Sequence, residues 1–323
     1  MTTIGSWSVL KYPFNAWSGL QQMHEASARG SKGLASVIIA CRDELPYLEQ
    51  TIRFMLTVPS GCPMEIIVVD DGSRDGCADF LRRGGELSRR VHLVEAPGLG
   101  PARARNLGAA RARGELLVFC DAHIIVPGGW LGDLARPVLA GQAHAVCPAL
   151  VHTENPHLII YGGTLSKDLS WVGLTFPPRS LSPVPLAPAG CLAVGREAFL
   201  EVGGFEEGLT TWGYDDVEFS LKLWLFGFAV AVMPRVKVVH ISRPLKPYQR
   251  PGKNLTRNLL LLAALHFSPH RLARVASMAG RYPGFSESWA RVSTPGVLKK
   301  RDEYFRRRVR DDDWFMHTFG IPV

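Results

Sequence analysis

Apolar runs of strand length alternate with helix-like segments over residues 34–123, and this alternation constrains the fold more than any other feature of the chain. The segment after the first run places Leu48, Ile52 and Met55 on one helical face. Strands that alternate with helices predict βαβ units, and therefore an α/β fold with a mostly parallel central sheet. The four runs are LASVIIAC (34–41), MEIIVVD (64–70), RVHLVEA (90–96) and ELLVFC (115–120).

Unusual polar residues follow three of these runs. The carboxyl ends of parallel strands meet at one edge of a sheet, and open α/β sheets bind their ligands there. We therefore expect the ligand site at this edge. The residues concerned are Cys41, Arg42 and Glu44 after the first run, Asp70 and Asp71 after the second, and Asp121 and His123 after the fourth.

Asp121 and His123 are two residues apart at a strand end. Residues i and i+2 of an extended chain project to the same side, so both side chains are able to reach one divalent cation. A mixed oxygen and nitrogen ligand set suits Mn²⁺ or a similar metal, whereas Mg²⁺ prefers oxygen. The structural alternative is that Asp121 caps the next helix and His123 is a turn residue.

Two further groups near this edge have a functional and a structural interpretation. Asp70 and Asp71 are able to accept hydrogen bonds from a ribose hydroxyl or a base, or to form an Asx-turn with the glycine that follows. Arg103 and Arg105 are able to contact a diphosphate through charge-assisted hydrogen bonds. The more common role of a single helical arginine is to lie on a solvated face.

A third acidic group occurs in the stretch 212–216, WGYDD, before an amphipathic segment. The charges of Asp215 and Asp216 are able to stabilise a helix N-terminus. Alternatively, adjacent like charges raise the pKa of one carboxyl group, which suits a general base. His240 ends the run VKVVH and, taken alone, favours a structural role.

The organisation of the chain changes after residue 145. We expect a lead-in at 1–33, one catalytic domain at 34–243 and a C-terminal extension at 244–323. The Pro- and Ser-rich stretch 164–190 is typical of a long loop. The strongest helix candidate of the extension, NLTRNLLLLAALHF (254–267), is expected to pack on the catalytic core.

Composition and charge limit the partners and the cellular location that this chain is expected to have. The 323 residues are 46% hydrophobic with a net charge of +8, and a basic segment lies at 298–310. A basic excess indicates a phosphorylated, nucleic-acid or membrane partner. The six cysteines form no CxxC pair and are expected to be reduced and buried. The sequence shows neither a secretory signal nor an apolar span long enough for a membrane helix, so we expect a cytoplasmic protein.

Seven segments, in the same order, resemble glycosyltransferases of the GT-A fold. They cover roughly residues 35–243 and are most similar to the catalytic domain of the polypeptide N-acetylgalactosaminyltransferases, and next to family-2 glycosyltransferases. The resemblance implies a Rossmann-like nucleotide-diphospho-sugar transferase fold with a C-terminal helical extension. The segments are SVIIACRDE, EIIVVDDGS, GPARARNLGAA, GELLVFCDAHIIVPGGWLGDL, AVCPALV, AGCLAVGREAFLEVGGFEEGLTTWGYDDVEFSLKLWLFG and VVHISR.

The resemblance assigns roles to particular residues. Asp121-Ala122-His123 matches the Asp-x-His element that binds Mn²⁺, or alternatively Mg²⁺, and His240 matches a third metal ligand. The stretch 170–185 is a candidate mobile loop over the donor. The implied UDP-sugar pocket comprises Cys41, Arg42, Glu44, Asp70, Asp71, Arg103, Asp121, Gly190 and Cys191, and the implied catalytic and acceptor residues are Trp212, Asp215 and Asp216.

The resemblance also implies a reaction, the metal-dependent transfer of a sugar from a UDP-sugar to an acceptor hydroxyl. The acceptor is a peptide or protein in the first family, and a polysaccharide or small molecule is the alternative from family 2. The N-acetylgalactosaminyltransferases carry Glu-Asn where this chain has Asp215-Asp216. In inverting family-2 enzymes the second acid of a similar pair deprotonates the acceptor, so both retention and inversion stay open.

Two other functions compete with this interpretation. A nucleotidyltransferase would normally carry a glycine-rich loop after the first strand, and IIACRDELPY is not glycine-rich. The other alternative is a nucleic-acid or membrane-surface binding protein that uses the basic segment. Acid-lined strand ends repel phosphate without a metal, so no nucleic-acid partner is expected in the main cleft. The basic segment is able to contact an anionic surface.

Overall fold

A computed structural model describes residues 31–243 and 252–322 of the chain. Residues 1–30 of the expected lead-in lie outside the described residues, and residues 31–33 begin the first strand. The strands are β1 (Ser31–Cys41), β2 (Met64–Asp70), β3 (Val91–Glu95), β4 (Gly114–Cys120), β5 (Ile124–Ile125), β6 (Ala145–His152), β7 (Asn155–Ile160), β8 (Gly163–Leu165), β9 (Trp171–Gly173), β10 (Ser182–Pro183), β11 (Cys191–Gly195) and β12 (Val230–His240). The helices are α1 (Tyr47–Thr57), α2 (Asp79–Arg82), α3 (Glu86–Arg90), α4 (Pro101–Arg111), α5 (Trp130–Leu139), α6 (Arg196–Glu201), α7 (Asp215–Leu225), α8 (Gly252–His266), α9 (Pro269–Ala279), α10 (Phe285–Val292), α11 (Pro295–Arg307) and α12 (Asp312–Thr318).

Ten of the described strands form one sheet, whose main path is β10-β12-β6-β11-β4-β1-β2-β3. From β12 to β3, only β11 runs antiparallel to its neighbours, and the other six strands share one direction. The prediction of an α/β fold with a mostly parallel sheet is confirmed. The shared direction brings the carboxyl ends of β1, β2, β4 and β12 to one edge.

The sheet is covered on both faces because its strands alternate side chains between two cores. In β1, Ile38 points into the core that contains the buried residues of α7 and α8, whereas Val37 and Ile39 point into the core under α1 and α5. In β4, Phe119 and Val118 divide in the same way. Near-continuous apolar runs are therefore required, as in other parallel sheets buried on both faces.

Three elements differ from the sequence prediction. Gly84 and Gly85 have positive φ angles of 77° and 128°, and they divide the predicted helix at 77–87 into α2 and α3. The predicted loop 164–190 contains the short strands β9 and β10. The two runs expected at 229–243 form one strand, β12, whose register shifts around Pro234 because proline lacks the backbone donor of a ladder hydrogen bond.

The C-terminal helices pack against α7. His266 of α8 contacts Glu218 at 2.8 Å, and both residues are almost completely buried. Basic residues of the 298–310 segment bind the protein itself, since Arg301 donates to the carbonyl oxygens of Ala264 and Phe267 at the end of α8. Cations at a helix C-terminus satisfy its last carbonyl groups. None of the described helices is both long enough and apolar enough to cross a membrane.

Candidate active site

Three predicted metal ligands meet at the carboxyl edge of the sheet. One ligand atom from each of Asp121, His123 and His240 lies within 4.8 Å of the others. Asp121 follows β4, and antiparallel pairing places His240, the last residue of β12, opposite Ile124 and therefore beside His123. The two imidazole rings lie 4.6 Å apart at 79°, and His240 Nε2 is 3.3 Å from Asp121 Oδ2. The fold thus unites residues that are 119 positions apart in the chain.

The Asp121 carboxylate is held in its charged form. Burial opposes ionisation, but the hydrogen bond with His240 and the charges of His123, His240 and Arg105 hold the pKa of Asp121 well below its usual value. The backbone N–H of Asp121 donates to the carbonyl oxygen of Gly190 at 2.9 Å. A Cβ atom at Gly190 would lie 2.9 Å from Asp121 Oδ2, so a side chain there would displace the carboxylate.

His123 is oriented by residues from two distant segments. Its Nδ1 lies 3.1 Å from Oε2 of Glu44, and Oε1 of Glu44 accepts from Arg243 at 2.5 Å. The hydroxyl of Thr51 donates to the carbonyl oxygens of Ala122 and Ile124, which fixes the turn that carries His123. A carboxylate on one imidazole nitrogen typically fixes the tautomer and directs the other nitrogen to a metal.

His240 has an unsatisfied nitrogen. Its Nδ1 is buried and has no hydrogen-bond partner among the described residues. The ring of His152, its register partner on β6, lies 5.0 Å away. His240 therefore has its Nε2 at the triad, and its Nδ1 makes no hydrogen bond with the described residues.

The acids after β2 are occupied by the protein itself. Asp70 is buried, accepts from the backbone N–H of Ser73 at 2.9 Å and pairs with Arg82. Asp71 accepts from the backbone N–H groups of Leu99 at 2.5 Å and Gly100 at 2.8 Å. These contacts fix the turns that follow β2 and β3, and direct contact of either carboxylate with a nucleoside stays a prediction.

The predicted pocket residues around β1 and β11 differ in exposure. Cys41 is buried, and its hydrogen bond with Cys77 together with burial raises the pKa of the thiol well above its usual value. Arg42 is exposed and lies close to Gly98. Cys191 is fully buried opposite Cys120. These two thiols are neutral, buried groups, so a donor contact from them would involve their backbone atoms.

Arg103 and Arg105 lie on opposite sides of α4. Residues two apart on a helix differ by about 200° in direction. Arg105 is largely buried, pairs with Asp215 and lies 3.5 Å from Asp121 Oδ1. Arg103 is exposed and donates to the carbonyl oxygen of Glu207 at 3.0 Å. Of the two arginines, the structure brings Arg105 to the triad, and a role of Arg103 in donor binding stays a prediction.

Asp215 and Asp216 have different environments at the start of α7. Asp215 is buried against the Arg105 guanidinium, whereas Asp216 is half-buried and accepts from the backbone N–H of Val217 at 2.9 Å. Burial and the charge of Asp215 raise the pKa of Asp216 to about 7. Trp212 lies nearby in the chain with 38% of its surface exposed. Asp216 is thus poised to exchange a proton near neutral pH.

The sequence interpretation missed three residues at this site. Thr51 lies in a helix pattern, Arg243 is an ordinary basic residue after a strand, and the sequence gives no reason to place Arg105 rather than Arg103 beside the metal ligands. Only the spacing of Arg105 from Arg103 offered a signal, because the two cannot share a helix face.

Comparison of the sequence with protein families gives two matches. Residues 36–201 match glycosyl transferase family 2, and residues 183–245 match the N-terminal domain of galactosyltransferase. Among curated proteins, the chain is 30% identical to polypeptide N-acetylgalactosaminyltransferase 11 of Xenopus tropicalis, over 71% of this chain and 42% of that protein. It is 33% identical to a probable N-acetylgalactosaminyltransferase 8 of Caenorhabditis elegans, over 76% of this chain and 67% of that protein. The chain thus spans less than half of the first relative.

Solved structures share the fold. GalNAc-T7 with UDP, GalNAc and Mn²⁺ superposes with a TM-score of 0.71 at 22% identity, over 89% of this chain and 56% of that chain. The mannosyltransferase PcManGT from Pyrobaculum calidifontis, in complex with GDP-Man and Mn²⁺, gives a TM-score of 0.52 at 20% identity, over 90% of this chain and 80% of that chain. The expected GT-A architecture is therefore confirmed.

Proposed function

This chain belongs to glycosyl transferase family 2, and from that membership we propose that it transfers a sugar from a UDP-sugar to an acceptor hydroxyl with the help of a divalent metal ion. The observation that carries the proposal is the meeting of Asp121, His123 and His240 within 4.8 Å at the carboxyl edge of the sheet. That edge is where open α/β folds bind nucleotides.

The triad fits a metal of the manganese type. It offers one carboxylate oxygen and two imidazole nitrogens, a set that Mn²⁺ accepts more readily than Mg²⁺ does. Glu44 occupies Nδ1 of His123, which leaves Nε2 as the nitrogen for a metal. The close approach of Gly190 to Asp121 keeps the carboxylate accessible, since any side chain there would cover it.

The residues around the triad are suited to charge neutralisation. A metal bound there would act as a Lewis acid on the diphosphate of the leaving UDP. Arg105 places a second positive charge 3.5 Å from Asp121 Oδ1, at the same rim. Positive groups that are held in place before the reaction stabilise developing negative charge without reorganisation.

Asp216 is the residue proposed to accept the proton of the acceptor hydroxyl. Asp215 is already paired with Arg105, whereas Asp216 has no ion pair among the described residues and accepts only from the backbone N–H of Val217. A pKa near 7 lets Asp216 be ionised at neutral pH and still accept a proton. A base on the acceptor side favours inversion of the anomeric centre.

The acceptor proposed first is a hydroxyl of a peptide or protein. This follows from the names of the curated relatives, which describe polypeptide transferases. The second candidate is an inverting transferase that acts on a polysaccharide or small molecule. The Asp215-Asp216 pair favours it, because the family-2 enzymes that this chain resembles carry such a pair.

The direct test incubates the purified chain with a panel of UDP-sugars and Mn²⁺, and measures slow release of UDP without an acceptor. Release is expected with one or a few sugars and is expected to stop on chelation of the metal. Positive donors are then combined with serine- and threonine-containing peptides and with oligosaccharides, and NMR assigns the anomeric configuration of the product. UDP release that is equal with and without metal for every sugar would contradict the proposal.

A further inference from the structure

The loop at 208–214 lies between α6 and α7 and leads to the acids at the start of α7, and two other segments contact it. It carries Trp212 and ends at Tyr214, a non-glycine residue with φ of 66° immediately before Asp215. A backbone turn of this kind is rarely populated unless surrounding contacts hold it. The position of the proposed base therefore depends on what contacts this loop.

Asn258 of α8 provides the most buried of these contacts. Its side chain is fully buried, and its Nδ2 donates to the carbonyl oxygens of Gly213 at 2.8 Å and Thr211 at 3.1 Å. One amide group thus bridges the two residues on either side of Trp212. Its Oδ1 is buried without a hydrogen-bond partner among the described residues, so donation is the polar contact this amide makes.

Neighbouring residues of α8 also contact the 208–214 loop. The Arg257 guanidinium donates to Thr210 Oγ1 and to the carbonyl oxygen of Gly208, the latter at 3.4 Å. A Cβ atom at Gly213 would lie 2.5 Å from Leu255 Cδ2, so the loop backbone packs directly on α8. Gly213 has φ of 109°, which also favours glycine at this position.

The opposite side of the loop touches the N-terminus of α4. A Cβ atom at Gly100 would lie 2.2 Å from the carbonyl oxygen of Thr210. Gly100 is in turn held by Asp71 through its backbone N–H. The 208–214 loop is therefore held between the N-terminus of α4 and α8.

We propose that Asn258 is a positioning residue for sugar transfer, because its hydrogen bonds to Thr211 and Gly213 hold the 208–214 loop so that Trp212 and Asp216 face the acceptor. The inference rests on the proposed function. It assigns to the C-terminal extension a part in catalysis, in addition to its packing on the core. Asn258 acts through the loop, since its own side chain is fully buried.

The test alters the donor of these hydrogen bonds in two variants, one that keeps the size of the side chain and one that reduces it. Asn258→Asp presents oxygen to the two carbonyl groups, and Asn258→Ser keeps one donor in a smaller side chain. We expect kcat for transfer to fall by about 10-fold or more in Asn258→Asp and less in Asn258→Ser, since a misplacement of about 1 Å costs up to 10²-fold. The dissociation constants of Mn²⁺ and UDP are expected to stay within about two-fold, because the triad residues follow β4 and end β12 and none belongs to α8 or to the 208–214 loop.

Two controls separate positioning from loss of stability. Thr256→Val removes a hydrogen bond to Gly252 within α8 and leaves the loop contacts intact. Val275→Ala destabilises the core under α9 at a distance from the loop. Both variants are expected to keep kcat, even where Val275→Ala lowers the melting temperature as much as Asn258→Asp does.

A second readout follows the loop without relying on activity. With 5-fluorotryptophan incorporated, the ¹⁹F resonance of Trp212, assigned with Trp212→Phe, is expected to shift or broaden in Asn258→Asp and Asn258→Ser but not in Thr256→Val. An unchanged resonance together with unchanged kcat in both Asn258 variants would overturn the inference. If the wild-type chain shows no metal-dependent turnover of any UDP-sugar, the proposed function fails instead, and the resonance still reports the contact.

Discussion

The two halves of the candidate site are built in different ways. The donor half, which comprises β1–β4 and the turns that follow them, takes its polar residues from the ends of β1, β2 and β4, which are neighbours in the sheet. The acceptor half, which comprises the 208–214 loop and the start of α7, is held by α4 on one side and α8 on the other. The comparison teaches that most residues of the donor half lie at the ends of strands that the sequence pattern reveals, with His240 added from the distant strand β12, whereas the acceptor half is held by helices that no local pattern links to it.

The largest expected effect is in the donor half. Asp121→Ala removes the one carboxylate of the triad and should lower metal-dependent turnover by about 10³-fold or more, since charge stabilisation at the leaving group is lost. Titration with Mn²⁺, followed by its electron paramagnetic resonance signal, should show the loss of binding directly. Asp133→Asn is the matched control, because Asp133 pairs with Arg235 on the surface. Normal Mn²⁺ binding by Asp121→Ala would show that Asp121 is not a metal ligand.

The next effect is in the acceptor half and depends on pH. Since the pKa of Asp216 is raised to about 7, its carboxylate fraction, and with it kcat/KM for transfer, should rise as the pH increases through 7. Asp216→Asn should lower kcat by about 10²- to 10⁴-fold and abolish this rise, while UDP binding changes little. Rate measurements between pH 5 and about 9 check both points. A variant that keeps the same pH dependence would show that another group titrates.

The third prediction concerns the support of the acceptor half by the C-terminal helices. Lys222, Glu218 and His266 form a buried network, with Lys222 Nζ 3.1 Å from Glu218 Oε1. Lys222→Met leaves a buried carboxylate without its cation and should lower the free energy of unfolding by roughly 3–5 kcal/mol. Chemical denaturation measures this change, and Lys237→Met on the exposed side of β12 is the control. Equal stability of the two variants would contradict it.

The same network makes a prediction about acid. Burial opposes the charge of Glu218, but Lys222 and His266 lower its pKa to about 2. A carboxyl group whose pKa is lower in the folded state stabilises the fold above its unfolded pKa, and this contribution disappears as the pH falls toward 2. Unfolding of the wild type between pH 5 and about 2 should therefore be steeper than that of Lys222→Met.

The smallest effect is expected from the support of a metal ligand in the donor half. Glu44→Gln keeps the size of the side chain but weakens the orientation of His123, and should lower Mn²⁺ affinity by about 10- to 100-fold. Glu49→Gln, which alters only an exposed pair with Arg53, is the control. Calorimetry with Mn²⁺ distinguishes the two, and equal affinities would show that Glu44 does not act through His123.

Particular residues show how far the sequence predicts the site. The spacing of Asp121 and His123 at a strand end predicted a cation site, because an extended backbone projects both side chains to one side. The roles of Glu44 and His240 were less accessible. The prediction that Glu44 lines the donor pocket stays a prediction, but its hydrogen bond with His123 has no signal in the sequence, and His240, taken alone, favours a structural role.

The sequence by itself determined the alternation of strands and helices, the mostly parallel sheet and the edge at which polar residues gather. These features depend on the spacing of hydrophobic residues and on local backbone geometry, and both are determined by residues close together in the chain. The tertiary structure decided which distant groups meet there: His240 beside Asp121, Arg243 beside Glu44 and Asn258 beside Gly213. These contacts depend on strand register and helix packing, because a shift of a strand or helix by one residue would turn its side chains to another face.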